Sequence, residues 1–235
     1  MGRVSTPYSS SSPRNSLLAA LSPADFALLQ PHLRPMALPL KRDIERPNRR
    51  MCFPGTGIAS VVATHSATRV EVGLIGREGM SGTAVVLGGD QSPHATYIQV
   101  AGQGQKIKAD ELRKAMTASE SLRSVLLKFV QVFMVQTAHT AIANARSHID
   151  QRLARWILMA HDRTRDNDLP LTHEFLALML GVRRAGVTEA LQSLRRQKLI
   201  DNGRNQIVLR NRKGLERVAG HSYGTPEKEY RRLIG

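Results

Sequence analysis

The sequence predicts an α+β fold: an N-terminal β-roll of jelly-roll type, one long helix, and a small C-terminal domain of helices closed by a β-hairpin. Three observations carry this expectation. Residues 38–107 are short apolar runs punctuated by glycine at 55, 57, 73, 76, 79, 82, 88, 89, 102 and 104, the spacing of an all-β barrel or jelly roll. Residues 119–145 contain neither proline nor glycine and repeat apolar positions in three- and four-residue steps, the period of a helix. Residues 171–209 combine helical periodicity, a glycine break and Asp201-Asn202-Gly203-Arg204-Asn205 between two apolar runs, and Asn-Gly between such runs marks a hairpin turn.

Composition bounds what the chain can be. Its 235 residues are 41% hydrophobic, enough for one large or two ordinary domains with a real core and too apolar for wholesale disorder. The formal net charge of +15 favours a polyanionic partner. Basic and acidic residues number 17 and 9 before residue 150 and 17 and 10 from there on, so charge asymmetry does not locate the site. The single cysteine, Cys52, excludes an intrachain disulfide, a thiolate zinc site and a four-cysteine iron–sulfur cluster, and fits a reducing, cytoplasmic setting. His65 and His94 lack the close spacing and the neighbouring carboxylate of a cupin-like metal centre. No metal ligands, catalytic residues or enzyme activity are therefore expected. No apolar run approaches the ~18 residues of a membrane helix, so no membrane partner is expected, and the polar N-terminus lacks the apolar stretch of a secretory signal.

The elements follow in order. Residues 1–16, rich in serine, read as a flexible leader. Residues 17–118 form the roll. It opens with short helical turns up to Leu33, where Ser22-Pro23 supplies a cap and a first-turn proline. Strands are expected at Ile58–Ala63, Val70–Ile75, Ala84–Leu87 and Tyr97–Val100, with a turn at Gly88-Gly89-Asp90. Residues 119–149 are the long-helix segment, and its unbroken periodic stretch Ser119–Ala145 makes a helix of roughly 40 Å, too long merely to cover a small barrel. Leu122, Leu126, Phe129, Phe133, Gln136 and Thr140 are assigned to a seam between two chains, the alternative being packing on the chain's own barrel. Residues 150–220 form the C-terminal domain, with Asp150 capping a helix from Gln151 to His161, and residues 221–235 are a tail.

Within that domain the pattern points to chemistry. Thr172 caps a short helix that ends at Gly181, and a second helix runs from Arg183 to Lys198. Two crossing helices need a small residue at the contact, a glycine able to take positive φ in the turn, and apolar residues at fixed offsets. Ala177, Gly181 and the set Leu176, Leu180, Val182, Val187 and Ala190 supply these, and the hairpin makes the unit a winged helix-turn-helix. With Val187, Ala190, Leu191 and Leu194 inward, Arg183, Arg184, Thr188 and Glu189 face outward. They can read base edges in the major groove of double-stranded DNA: arginine at guanine, glutamate at cytosine, threonine at either. Arg195 further along, with Arg196 and Lys198, meets either phosphate or solvent as a basic face, and Arg204 with Asn205 in the wing is assigned to the phosphate backbone.

A roll, a long helix and this motif together resemble the Crp/Fnr superfamily of bacterial regulators. The resemblance rests on Leu171-Thr172-His173-Glu174-Phe175-Leu176-Ala177 and Leu180-Gly181-Val182-Arg183-Arg184-Ala185-Gly186-Val187-Thr188. Upstream it rests on Phe53-Pro54, Gly57-Ile58-Ala59-Ser60-Val61-Val62 and Glu71-Val72-Gly73-Leu74-Ile75-Gly76-Arg77-Glu78-Gly79-Met80. It implies a homodimeric transcription regulator on palindromic operators, RNA polymerase as a further partner, and a cyclic-nucleotide-binding-like roll sensing a small effector of unknown identity. Glu78, Met80, Ser81 and His94 are the candidate effector pocket, the alternative being that they are loop and core residues. Where members that bind cyclic nucleotides carry a phosphate-clamping arginine this chain has His94, and a mostly neutral imidazole does not replace a guanidinium; cyclic AMP is not expected. In the second helix Ala185 stands for the family's common glutamate and Glu189 for its later arginine, while Arg184 is kept, so the operator should differ. The competing function is a non-specific architectural DNA-binding protein, and behind it a cupin-like metalloenzyme.

Overall fold

The structure is a computed structural model that describes residues 14–44, 50–66, 68–164, 166–203 and 206–235. The expected leader up to Pro13, and Arg204 with Asn205, lie outside the described residues. In chain order the elements are α1 (Ser16–Ala19), α2 (Pro23–Leu29), β1 (Arg34–Leu38), β2 (Arg50–Pro54), β3 (Ile58–His65), β4 (Thr68–Ile75), α3 (Thr83–Val86), β5 (Ala95–Val100), β6 (Gly102–Lys108), α4 (Ala109–Ala118), α5 (Glu120–Arg146), α6 (Ile149–Thr164), β7 (Asp168–Leu169), α7 (His173–Leu180), α8 (Arg184–Arg196), β8 (Ile200–Gly203), β9 (Gln206–Leu209), α9 (Arg212–Ala219) and α10 (Thr225–Leu233).

The roll is two antiparallel three-stranded sheets, ordered β1-β6-β2 and β4-β3-β5, with register shifts in β3 at Ile58/Ala59 and Val61/Val62. Such shifts bend a strand. Between the sheets Leu38, Ile44, Cys52, Ala59, Val61, Ile75 and Ile98 fill the interior, with Phe133 of α5 packed on them. One expected strand is absent: Ala84–Leu87 falls on the helical turn α3. A four-residue apolar run does not distinguish strand from buried helix. Here Gly82, at φ +79°, turns the chain so that Val85 and Val86 join the core under α4 and α5.

Helix α5 spans 27 residues, with Ser119 at its N-cap accepting from the Leu122 N–H. By length and composition it could cross a membrane, with mean hydropathy 1.4 and 33% of that stretch buried, which corrects the expectation that nothing in the chain approached such a span. Its apolarity serves two faces. Leu122, Leu126, Phe129, Gln136 and Thr140 are buried against the chain's own roll and C-terminal domain, with Phe133 half-buried beside them. These are the residues assigned to a seam between chains, and the structure turns them inward instead. The Gln136 amide forms a two-bond clamp on β4, donating to Leu74 O at 3.1 Å and accepting from Leu74 N at 2.6 Å. Gly73 makes room for this: a Cβ there would sit 2.7 Å from the Phe133 ring. The other face keeps Leu127, Met134 and Ile142 exposed, with Gln131 and Ala138 between them.

Helix α6 starts earlier than expected, so that Asp150 lies inside its first turn rather than at the cap. It joins roll to C-terminal domain. Trp156 donates its indole N–H to Glu71 of β4 at 2.8 Å, and Arg163 donates to Leu74 O at 3.3 Å and pairs with Glu78 at 2.9 Å. The core under α6 accordingly holds Ile58, Leu74 and Val100 of the roll together with Leu176, Val187, Leu191 and Leu209 of the C-terminal domain. The expected tail contains α10, whose Tyr230 and Ile234 pack on the core beneath α5.

Candidate nucleic-acid interface

The reading unit is α7, α8 and the sheet β7-β9-β8. Thr172 accepts from the Phe175 N–H at 3.1 Å, starting α7 as a side-chain cap does. Gly181 ends it at φ +60°, a left-handed conformation that favours glycine. Ala177 is buried where the helices cross. Val187, Ala190, Leu191 and Leu194 all point into the core, which fixes the outward face of α8.

On that face Arg184, Glu189 and Arg195 are exposed and make no side-chain bond among the described residues. Arg183 is the N-cap of α8 and lines a groove of about 1010 Å³ between α7 and the outer face of the roll, facing Lys41 and Arg69. It therefore flanks the reading face rather than standing at its centre. Thr188 differs from expectation. It is half-buried, its hydroxyl donates to Arg184 O at 3.0 Å, and the same oxygen lies 3.1 Å from His173 Nδ1. With its proton committed to the carbonyl, that oxygen accepts from Nδ1–H, leaving Nε2 to accept from the Asn202 amide at 3.2 Å. Thr188, His173 and Asn202 thus lash the second helix to α7 and the wing. The sequence offered no periodic signal for His173, whose partners lie 15 and 29 residues away. Gln192 was also missed. It is exposed one turn beyond Thr188, at the middle of the outward face, and a glutamine there suits adenine. In the wing, Asp201 pairs with Arg210 at 2.6 Å.

The candidate effector residues do not converge. Met80 is fully buried in the core with Leu17, Phe53 and Leu126. Ser81 is fully buried and accepts from the Cys52 N–H at 3.0 Å. His94 is half-buried, its N–H donating to Ser92 at 3.2 Å, and Glu78 is engaged by Arg163. Next to them α5 packs tightly on the roll: a Cβ on Gly79 would lie 2.4 Å from the Phe129 ring. Cys52 is likewise inert, since burial pushes its thiol up to about 12. No group of three or more histidine, cysteine, aspartate or glutamate side chains that could hold a metal ion occurs among the described residues.

Residues 151–218 match the Crp-like helix-turn-helix domain family. A transcriptional regulator of the Crp/Fnr family from Eubacterium rectale superposes at TM-score 0.66 and 16% identity, over 88% of this chain and 98% of that one. The chain has the Crp/Fnr fold. FixK2 from Bradyrhizobium japonicum has a similar structure, with TM-score 0.66, 18% identity and coverage of 80% and 98%. So has the c-di-GMP-responsive global regulator CLP of Xanthomonas campestris, with TM-score 0.61, 16% identity and coverage of 80% and 99%. Among curated proteins no sequence match is found. The Crp/Fnr fold accounts for the order of roll, long helix and winged motif, and the family match falls on α6 to α9.

Proposed function

We propose that the chain is a sequence-specific DNA-binding transcription regulator acting as a homodimer on a two-fold symmetric site. The observation that carries this is the outward face of α8, where exposed Arg184, Glu189, Gln192 and Arg195 have no side-chain partner among the described residues and project from a helix whose opposite face is locked into the core. A helix held this way enters the major groove with its first turns against base edges. Arg184 and Glu189 read bases, Gln192 extends the reading by one turn, Arg195 meets phosphate, and Thr172 and Arg183 approach the backbone at the helix ends. The exposed apolar face of α5 supplies the dimer contact and with it the half-site spacing.

The test is affinity for DNA upstream of the protein's own gene against a scrambled duplex at fixed salt, for the wild type and Arg184→Ala. A ratio of ~10³ or more for the wild type, with a loss of ~1–3 kcal/mol and one relaxed base position in the variant, is the expected result. A ratio near one with a steep salt dependence points to the architectural alternative.

A further inference from the structure

A cavity of about 330 Å³ lies where the roll, α5, α6 and α10 meet. On one side Phe129, Val132 and Phe133 give it an apolar wall; on the other stand Glu78, Tyr230 and Arg231, beside Asp162 and Arg212, which pair with each other at 2.8 Å. Glu78 Oε1 is held by Arg163 at 2.9 Å, but its Oε2 is buried without a hydrogen-bond partner, and so is the Tyr230 hydroxyl. Both side chains line this one cavity, and burial, then the Glu78 charge, push the Tyr230 phenol above its ordinary range. Buried polar atoms are nearly always satisfied, and the pair wants a donor between them. Carboxylate and phenol both accept from an ammonium. Arg231, exposed and without a carboxylate partner among the described residues, offers a complementary cation at the same cavity. The volume sits at the low end for small-molecule sites and suits roughly a dozen non-hydrogen atoms.

We propose that this cavity binds a small α-amino acid with an apolar side chain, its ammonium between Glu78 and Tyr230, its carboxylate toward Arg231 and its side chain against Phe129 and Phe133. The site deepens the regulator reading and rests on it for its purpose. Its walls come from the roll and from helices fixed to the reading unit, so an occupant that prefers one arrangement of those parts shifts DNA affinity, and DNA shifts its affinity in return.

L-Phenylalanine and L-leucine are the probes, titrated by calorimetry and by thermal shift into the full chain, with phenylacetate (no ammonium) and phenethylamine (no carboxylate) as controls. Tyr230→Phe removes only a hydroxyl that has no partner, so the free variant keeps the wild-type Tm. The expected result is binding of an amino-acid probe with a raised Tm, about tenfold weaker binding of each control, and about tenfold loss in Tyr230→Phe, the size of one hydrogen bond to a charged group. Absence of heat and of Tm shift with both amino acids, equal binding of the controls, or unchanged affinity in Tyr230→Phe would each overturn it. Promoter-specific DNA binding is measured in parallel. If that is absent while an amino acid binds, the site stands and the regulator reading falls; if promoter binding is intact and neither amino acid binds, the cavity proposal alone falls.

Discussion

Glu71 shows how much one side chain carries here. Its carboxyl is buried in β4, bonded to the Ser60 hydroxyl and to the Trp156 indole N–H of α6, so it ties the roll to the C-terminal domain. Burial raises its pKa from 4.5 to about 7, against the lowering pull of the Ser60 and Trp156 bonds and of Arg155 and Arg163. Because the folded state favours the protonated form, the stability this group contributes is fully present below about pH 4.5 and is lost as pH rises through about 7. The loss is of the order of 3 kcal/mol. In Glu71→Gln, urea unfolding at pH 5 and pH 8 should show a smaller drop than in the wild type; an identical drop in both would remove Glu71 as its source. The sequence did not reveal this role. Thr172, Ala177 and Gly181 were legible because their functions are local: a cap bond three residues on, a helix crossing, a positive φ. Glu71, Gln136 and His173 were not, because what defines each is a partner 85, 62 and 15 residues away in another element.

At the scale of elements the long helix teaches the same lesson with a different cause. Periodicity located α5 to within a residue of its ends but did not say which apolar stripe meets which surface, since an apolar-all-round helix carries two candidate stripes. The structure assigns Leu126 and Phe129 inward and Leu127 and Met134 outward. The dimer contact of the proposed regulator therefore moves to Leu127, Met134 and Ile142, which recur at roughly heptad spacing along the exposed face. Leu127→Glu with Met134→Glu should give a folded monomer, because neither side chain packs in the protomer core and buried charges at a seam are costly. Phe129→Ala, in contrast, should cost ~3–5 kcal/mol of folding stability. Sedimentation together with circular dichroism separates the two effects; a double variant that still sediments as a dimer would move the interface off this face. The α3 segment has a related explanation. Four apolar residues read as a strand, and only the turn at Gly82 and the floor made by α4 and α5 decide that they coil.

For the whole molecule the question is whether roll and reading unit are separate bodies or one. The order of parts was visible in the sequence, since periodicity, glycine spacing and the hairpin mark each part by itself. How the parts join was not, because packing between them leaves no periodic trace. The structure gives them a shared interior: Leu74 of β4 is fully buried in the same core as Leu191 of α8. Gln136 of α5 and Arg163 of α6 both bond the Leu74 carbonyl. Arg155 of α6, itself buried, donates to Thr140 of α5 at 3.0 Å and to Ser222 O at 2.9 Å. Cutting either half from this arrangement would expose apolar surface and strand buried polar groups, each of which costs folding free energy. A single cooperative unfolding transition follows, and damage in one half must appear in the other. Leu74→Ala, in the roll, and Leu191→Ala, in the reading unit, should each lower stability by ~2–5 kcal/mol. In both variants, measured at one protomer concentration so that dimerisation does not confound the comparison, Trp156 fluorescence and far-UV dichroism should report one coincident transition. If instead Leu191→Ala produced an early transition that left the roll folded, the shared core would not couple the two halves, and an effector bound at the roll would have no packed route to α8.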